Sequence, residues 1–370
     1  MAQHRRRTLP RFFVPPTSCI TFVGTILVCL LAVMLAAISW KKLDKPLNPA
    51  IDKLHSKSQV VETPCGLIEY GVDGPVDGTP IMISHGLFGG YDHGLHFGEG
   101  LAKRGYRVIS PSRFGYLDTP APDDDDEEET SLTSSANLFS CLMDALHKVQ
   151  KKRKMTLVGF SAGALPSFKF AQLYPDRLDA LVLVVPTCGE SIQGHKPRSF
   201  WISNPRLKLM GLLGVFKCDS LYRLVRWLAP EVLVSTALGT PSHLYKNANE
   251  YEKNYIDIWI DLFLPLDARQ QGMVIDMNLR KEKLDDVLEE IQTPTIAIAF
   301  EDDGYNLYES TETIAHRVQH GSFLGYPTGG HMGIGHLNDI YDGIDSFIVN
   351  ARKPHHTYPL DEAISDLAME

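Results

Sequence analysis

An α/β fold, with a mostly parallel central sheet and helices on both of its faces, is predicted by three features of this 370-residue chain. Short unbroken apolar runs alternate with segments of helical spacing, the pattern of strands buried on both sides. The alternation stops between about residues 188 and 292, where only helical spacing remains, and then resumes. Several of the apolar runs end in glycine-containing turns, where an open parallel sheet places its functional loops.

Taken in order, the chain opens with a basic tail over residues 1–17. Residues 18–40 follow, almost wholly apolar and without charge, with Trp40, Lys41 and Lys42 at the far border. About 20 such residues suffice to cross a bilayer core, and aromatic and basic residues anchor such helices at the interface. An uncleaved transmembrane anchor is therefore expected. The apolar core of a cleaved signal peptide is shorter, about 7–15 residues. Four front arginines against three rear lysines place the N-terminus in the cytoplasm and the body in the lumen or exterior. Residues 41–59 are polar and contain proline, and read as a linker. The folded body then spans about 60–352, and residues 353–370 form a C-terminal tail.

Within the body, residues 81–84, 107–111, 155–160, 180–185, 295–300 and 321–324 read as strands. Residues 98–104 can form a crossover helix. Thr130 or Ser131 can cap the next helix, whose Leu132, Ala136, Phe139, Met143, Leu146 and Val149 share a face. Residues 162–174 form another. The segment at about 188–292 reads as a helical insertion capping one end of the sheet, with Leu221, Leu224, Val225 and Leu228 at helical spacing.

The net charge of -9 divides unevenly, because residues 1–45 carry seven Lys/Arg against one acid. The acidic body does not attract nucleic acid, and no basic stripe is interleaved with aromatics. The run of seven acids at 123–129 reads as a solvated loop. It lacks the alternating ligands of a calcium loop. His93 and His96 are spaced like a metal pair, but no third ligand stands at suitable spacing, so no metal site is expected.

Three turns carry chemistry. Gly159-Phe160-Ser161-Ala162-Gly163 joins a predicted strand to a predicted helix. Small residues permit a sharp turn there that lifts the serine hydroxyl out of the sheet, and the helix start favours negative charge. His85-Gly86-Leu87-Phe88-Gly89-Gly90 follows another strand. Its backbone can aim an amide at a carbonyl oxygen, so the oxyanion hole is assigned to Leu87 and Ala162, with Phe88 as the alternative to Leu87. Glu301, Asp302 and Asp303 follow the strand at 295–300, and His331 lies in a glycine-flanked loop after the last strand. A serine needs a base, and a histidine base needs a carboxylate to fix its tautomer. Ser161, Asp303 and His331 are the expected set. Asp302 and then Glu190 are alternative acids, and His336 is the alternative base.

The ordered motifs HGLFGG, RVISPSRFGY, GFSAGA, YPDRLDALVLVVP, FEDDGY and GGHMGIGH resemble those of capped, single-domain α/β-hydrolases over residues 60–352. The family's late acid follows a strand in a G-x-x-D setting. Phe300 stands where that glycine would be, so the resemblance places the acid at Asp303. A serine at the nucleophile position argues against the aspartate chemistry of epoxide hydrolases and dehalogenases. The resemblance implies a serine hydrolase acting on a carboxylic ester, esterase- or lipase-like, through an acyl-enzyme and without metal or organic cofactor. The anchor and the apolar cap add the expectation of a small, lipid-like ester substrate. Amide, thioester or carbon–carbon hydrolysis belongs to the same class. A non-catalytic relative that binds a ligand or partner is the alternative, and a missing triad member would be its mark.

Overall fold

A computed structural model describes residues 49–122, 131–150, 154–189, 192 and 214–353. The 18–40 segment, the acidic run at 123–129 and Glu190 lie outside these described residues. Among the described residues, no helix is long and apolar enough to cross a membrane.

Helix α1 (Pro49–His55) precedes an antiparallel hairpin of β1 (Ser58–Thr63) and β2 (Gly66–Asp73). Next come β3 (Thr79–Ser84), α2 (Tyr91–Lys103), β4 (Tyr106–Pro111), α3 (Leu132–Gln150), β5 (Met155–Phe160), α4 (Ala164–Leu173) and β6 (Leu178–Val184). The insertion before the next strand supplies α5 (Asp219–Leu228), α6 (Pro230–Thr236), α7 (Ser242–Asn247), α8 (Glu250–Asp261), α9 (Asp267–Leu279) and α10 (Asp285–Glu289). The sheet then resumes with β7 (Thr295–Phe300), α11 (Tyr308–Arg317), β8 (Gly321–Tyr326) and α12 (Leu337–Ala351).

The eight strands lie in the order β1-β2-β4-β3-β5-β6-β7-β8. The β1–β2 and β2–β4 pairings are antiparallel, and the others are parallel. Every residue of β5 and β7 is buried. Successive side chains of a strand point to opposite faces, and the core divides accordingly. Ile83, Val158, Val182 and Ile298 join one apolar cluster with Leu95 and Leu101 of α2 and Ile344 of α12. Met82, Leu157, Leu183 and Ala297 join another with Phe139 of α3, Phe168 of α4 and Ile314 of α11. The expected layering of helices on both faces is thus formed, and the described part of the insertion is helical.

The sequence reading differs from the structure at the start of the body. Residues 49–59, read as the end of a linker, hold α1 and the beginning of β1. Ile51 and Leu54, three apart on α1, are buried in the core. The hairpin escapes a search for unbroken apolar runs because β1 is an edge strand with no buried residue, and β2 interrupts its apolar residues with Glu69 and Gly71. Cys65, in the hairpin turn, is disulfide-bonded to Cys141 on α3.

Two histidines on α2 are buried where α8 packs across it. The His96 ring stacks on Tyr255, and its Nε2 lies 2.9 Å from the Tyr255 carbonyl oxygen. The His93 ring packs against Trp259 and Phe263. Burial disfavours the charged imidazole and pushes His96 down to about 4 and His93 down to about 3, from 6.5. The unfolded chain therefore binds protons that the native protein refuses, and stability falls as pH drops from about 6.5 toward 4, by up to about 1.4 kcal/mol per pH unit for each histidine. Urea unfolding between pH 7 and pH 4.5 should show this loss, with a shallower slope in His96→Gln. An unchanged slope in that variant would contradict the assignment.

Candidate active site

The carboxyl ends of β3, β5, β7 and β8 lie along one edge of the sheet, and each feeds a loop that carries a functional group. At the end of β5 the chain turns through Ser161–Gly163 into α4. Ser161 sits at φ 52°, a left-handed conformation rare for a residue with a side chain. The flanking glycines make the turn possible by close approach. A Cβ on Gly163 would lie 2.2 Å from the Ser84 carbonyl oxygen, and one on Gly159 would lie 2.8 Å from Ala164 Cα. The packing around this turn over-determines the strained backbone.

His331 occupies a short turn over Gly330–Met332 after β8. Its Nε2 is 2.9 Å from Ser161 Oγ, and its Nδ1 is 2.9 Å from Asp303 Oδ2. A carboxylate only accepts, so Nδ1 carries the proton and Nε2 is left to accept from the serine hydroxyl. Ser161, His331 and Asp303 are 8%, 4% and 2% exposed. Asp303 Oδ1 also accepts from the Tyr305 amide at 2.8 Å, which fixes the carboxylate plane. The Tyr305 ring stands edge-on to His331, with centroids 4.4 Å apart, and its hydroxyl donates to the Ala237 carbonyl. Burial, and then the neighbouring Asp303, push the Tyr305 phenol far above its ordinary value, so it stays a donor.

The alternative groups do other work. Asp302 Oδ1 accepts from the Gly330 amide at 2.7 Å and so ties the acid loop to the histidine loop. His336 stacks near Phe300 and Tyr326 and lies 3.2 Å from Asp339. The structure thus brings Asp303 and His331 to Ser161. Glu190 lies outside the described residues.

Leu87 and Ala162 lie on two different segments, the loop after β3 and the turn that follows Ser161. Ala162 follows Ser161 at the start of the turn into α4, where amides have no partner earlier in the helix. Leu87 and Phe88 lie in the loop after β3, with Phe88 at φ 58° and its ring against Phe216 and Phe263 of the insertion. Behind them, the His85 ring is buried. Its Nε2 accepts from the Arg113 amide at 3.1 Å, so Nδ1 donates to the Gly86 carbonyl oxygen at 2.8 Å. Burial, reinforced by the Arg113 charge, holds this imidazole neutral, well below its ordinary range.

The insertion also clamps the other two loops, a feature the sequence reading did not find. Gly239 O accepts from the Gly304 amide at 2.7 Å, and Thr240 Oγ1 accepts from the Met332 amide at 3.1 Å. Glu252 on α8 accepts from the Gly335 amide at 2.7 Å. Among the described residues, no group of three or more His, Cys, Asp or Glu side chains could hold a metal ion.

A serine, an imidazole and a carboxylate in this order have the spatial arrangement of a serine-hydrolase active site. The model of the alpha/beta hydrolase fold family matches residues 79–335. The chain belongs to the α/β-hydrolase fold family. An α/β-hydrolase fold protein from Nakamurella multipartita is similar at a TM-score of 0.57 and 21% identity, over 79% of this chain and 98% of that one. An esterase from Rhodococcus sp. ECU1013 is similar at a TM-score of 0.59 and 17% identity, over 80% of this α/β-hydrolase and 99% of that chain. At such identities the likeness concerns the fold. An uncharacterized hydrolase of Bacillus subtilis, YcgS, is 33% identical over 119 residues, which span 32% of this chain and 37% of that protein.

Asp303→Asn should lower ester turnover by about 10³- to 10⁴-fold, because the imidazole loses its tautomer and its counter-charge. Asp302→Asn, which keeps an acceptor for Gly330, should lower it far less. Steady-state rates on p-nitrophenyl butyrate measure both, and a larger loss in Asp302→Asn would reverse the assignment.

Proposed function

We propose that this α/β-hydrolase is a membrane-anchored enzyme that cleaves a carboxylic ester of lipid-like character through an acyl-enzyme. The observation that carries the reading is the His331 imidazole held 2.9 Å from both Ser161 Oγ and Asp303 Oδ2. Ser161 Oγ attacks the ester carbonyl carbon while His331 Nε2 takes its proton. The carbonyl oxygen becomes an oxyanion held by the Leu87 and Ala162 amides. Collapse breaks the carbon–oxygen ester bond, and His331 returns the proton to the departing alcohol. His331 then deprotonates a water, which attacks the acyl carbon, releases the carboxylic acid and restores Ser161. Asp303 holds the imidazolium throughout.

Support for an apolar acyl group comes from the aromatic rings of Phe88, Phe216 and Phe263, packed together beside the loop that carries Leu87. The esterase named among the fold neighbours performs chemistry of this class. The apolar residues 18–40 are assigned to the anchor and residues 1–17 to a cytoplasmic tail. The hydrolase domain, ending near residue 352, is assigned to the lumen or exterior, with residues 353–370 as its tail. The Cys65–Cys141 disulfide supports that orientation, because such bonds persist in oxidising compartments.

One experiment tests the chemistry and the placement together. Sealed vesicles bearing the full chain are treated with a fluorophosphonate ester, and separate portions are then exposed to an external protease or extracted with carbonate. Labelling should depend on Ser161, vanish in Ser161→Ala, remain in the membrane fraction and resist the protease. Equal labelling of Ser161→Ala would reject the enzyme mechanism. Release by carbonate would reject the anchor, and digestion of the labelled domain would reverse the orientation.

A further inference from the structure

Helix α9 of the insertion presents an unusual buried face. Arg269, Gly272 and Asp276 fall at i, i+3 and i+7, one stripe of the helix, and all three are buried. Such a stripe normally carries apolar residues. Here it carries two charges, and each is paired on the sheet side of the molecule. Arg269 pairs with Asp92 at the start of α2, with Nη2 2.6 Å from Oδ2, and both are 0% exposed. Asp276 pairs with Arg113, in the loop after β4, and accepts from the Tyr116 hydroxyl at 2.7 Å. Gly272 lets this face come close. Its amide donates to the Gly115 carbonyl at 2.8 Å, and a Cβ there would sit 2.2 Å from the Tyr116 ring.

Both arginines continue past their carboxylates to the same short loop. Arg113 Nη2 donates to the carbonyl oxygens of His85 at 3.0 Å and Gly86 at 3.3 Å. Arg269 Nη1 donates to the Gly89 carbonyl oxygen at 2.5 Å. The Gly86 oxygen accepts as well from His85 Nδ1 at 2.8 Å and the Gly89 amide at 3.2 Å. In a trans peptide the C=O and the next N–H are coplanar and point in opposite directions. Three donors on the Gly86 oxygen therefore fix where the Leu87 amide points, and Arg269 fixes the exit of the loop.

We propose that helix α9 is a working part of the oxyanion hole, with Arg269 and Arg113 as positioning residues that aim the Leu87 amide by holding the carbonyls of residues 85–89. Asp92 and Asp276 orient the two guanidiniums and neutralise them. The insertion thus contributes to transition-state stabilisation as well as covering the site. A donor that is already oriented needs no reorganisation when charge develops, and this is the source of its catalytic effect. The inference rests on the proposed acyl-transfer reading, and Ser161-dependent fluorophosphonate labelling of the unaltered protein tests that reading separately.

The test uses the full chain in detergent and two kinds of substitution. Arg113→Lys and Arg269→Lys keep the buried charge and lose the planar fork that reaches carboxylate and carbonyl together. Each should lower kcat on p-nitrophenyl butyrate by about 10- to 100-fold, less than the loss of a whole oxyanion donor, with KM changed less than about threefold. Affinity for an alkyl trifluoromethyl ketone, whose hemiketal puts a negative oxygen in the same hole, should fall in parallel with kcat. The pair Arg269→Met with Asp92→Leu replaces a buried ion pair by apolar groups, a change that often preserves or raises stability. It should keep thermal stability and still show the loss in kcat and ketone affinity. It also provides the reading if a lysine variant fails to fold. Unchanged kcat and ketone affinity in folded variants, or activity that returns with stability in the apolar pair, would overturn the proposal.

Discussion

Ser161 can occupy left-handed backbone because Gly159 and Gly163 let the end of β5 and the start of α4 close against Ser84 and Ala164. The triad is arranged around that turn. The turn presents the hydroxyl at the sheet edge, where the loops after β7 and β8 deliver a carboxylate and an imidazole. The parallel strands set the spacing of these loops, and the packed core on both faces holds the strands in place. A polar triad that is almost fully buried is tolerable only because each member satisfies the next. Asp303 accepts from His331 and from the Tyr305 amide, and His331 accepts from Ser161.

The insertion stabilises this arrangement from the opposite side. Segment 237–240 bonds the acid loop and the histidine loop, α8 bonds the histidine loop through Glu252, and α9 bonds the loop after β3. The ties at Thr240 and Arg269 are buried polar contacts, costly to leave unpaired, and those at Ala237 and Glu252 are partly buried. A simple apolar lid would slide with little penalty. This one is registered against the sheet by ion pairs and backbone hydrogen bonds, so its position and the geometry of the reacting groups are linked.

Much of this was legible in the sequence, for physical reasons that differ by element. β5 and β7 are buried on both faces, so their apolar runs are unbroken and their bounds match the expectation. The triad was readable because each member follows a strand and the turns need glycine. The choice of Asp303 over Asp302 was supported only by the family's spacing. In space the two carboxylates separate clearly, one toward His331 and the other toward the Gly330 amide. The edge hairpin was not legible, because an exposed strand has no buried face to write into its pattern. Nor was the face of α9, since Arg269, Arg113, Asp92 and Asp276 read as surface charges until the fold brings them together. Tyr305 was hidden for a similar reason, because a tyrosine two residues past an acid has no marker of its contact with His331.

The most direct test of the account is a proton NMR measurement of the His331 Nδ1–H. A proton shared between a buried imidazole and a carboxylate should give a strongly deshielded resonance. It should be present in the unaltered protein, persist in Ser161→Ala and Asp302→Asn, and disappear in Asp303→Asn and His331→Ala. Absence of that resonance from the unaltered folded protein, or its survival in Asp303→Asn, would contradict the geometry from which the function is argued.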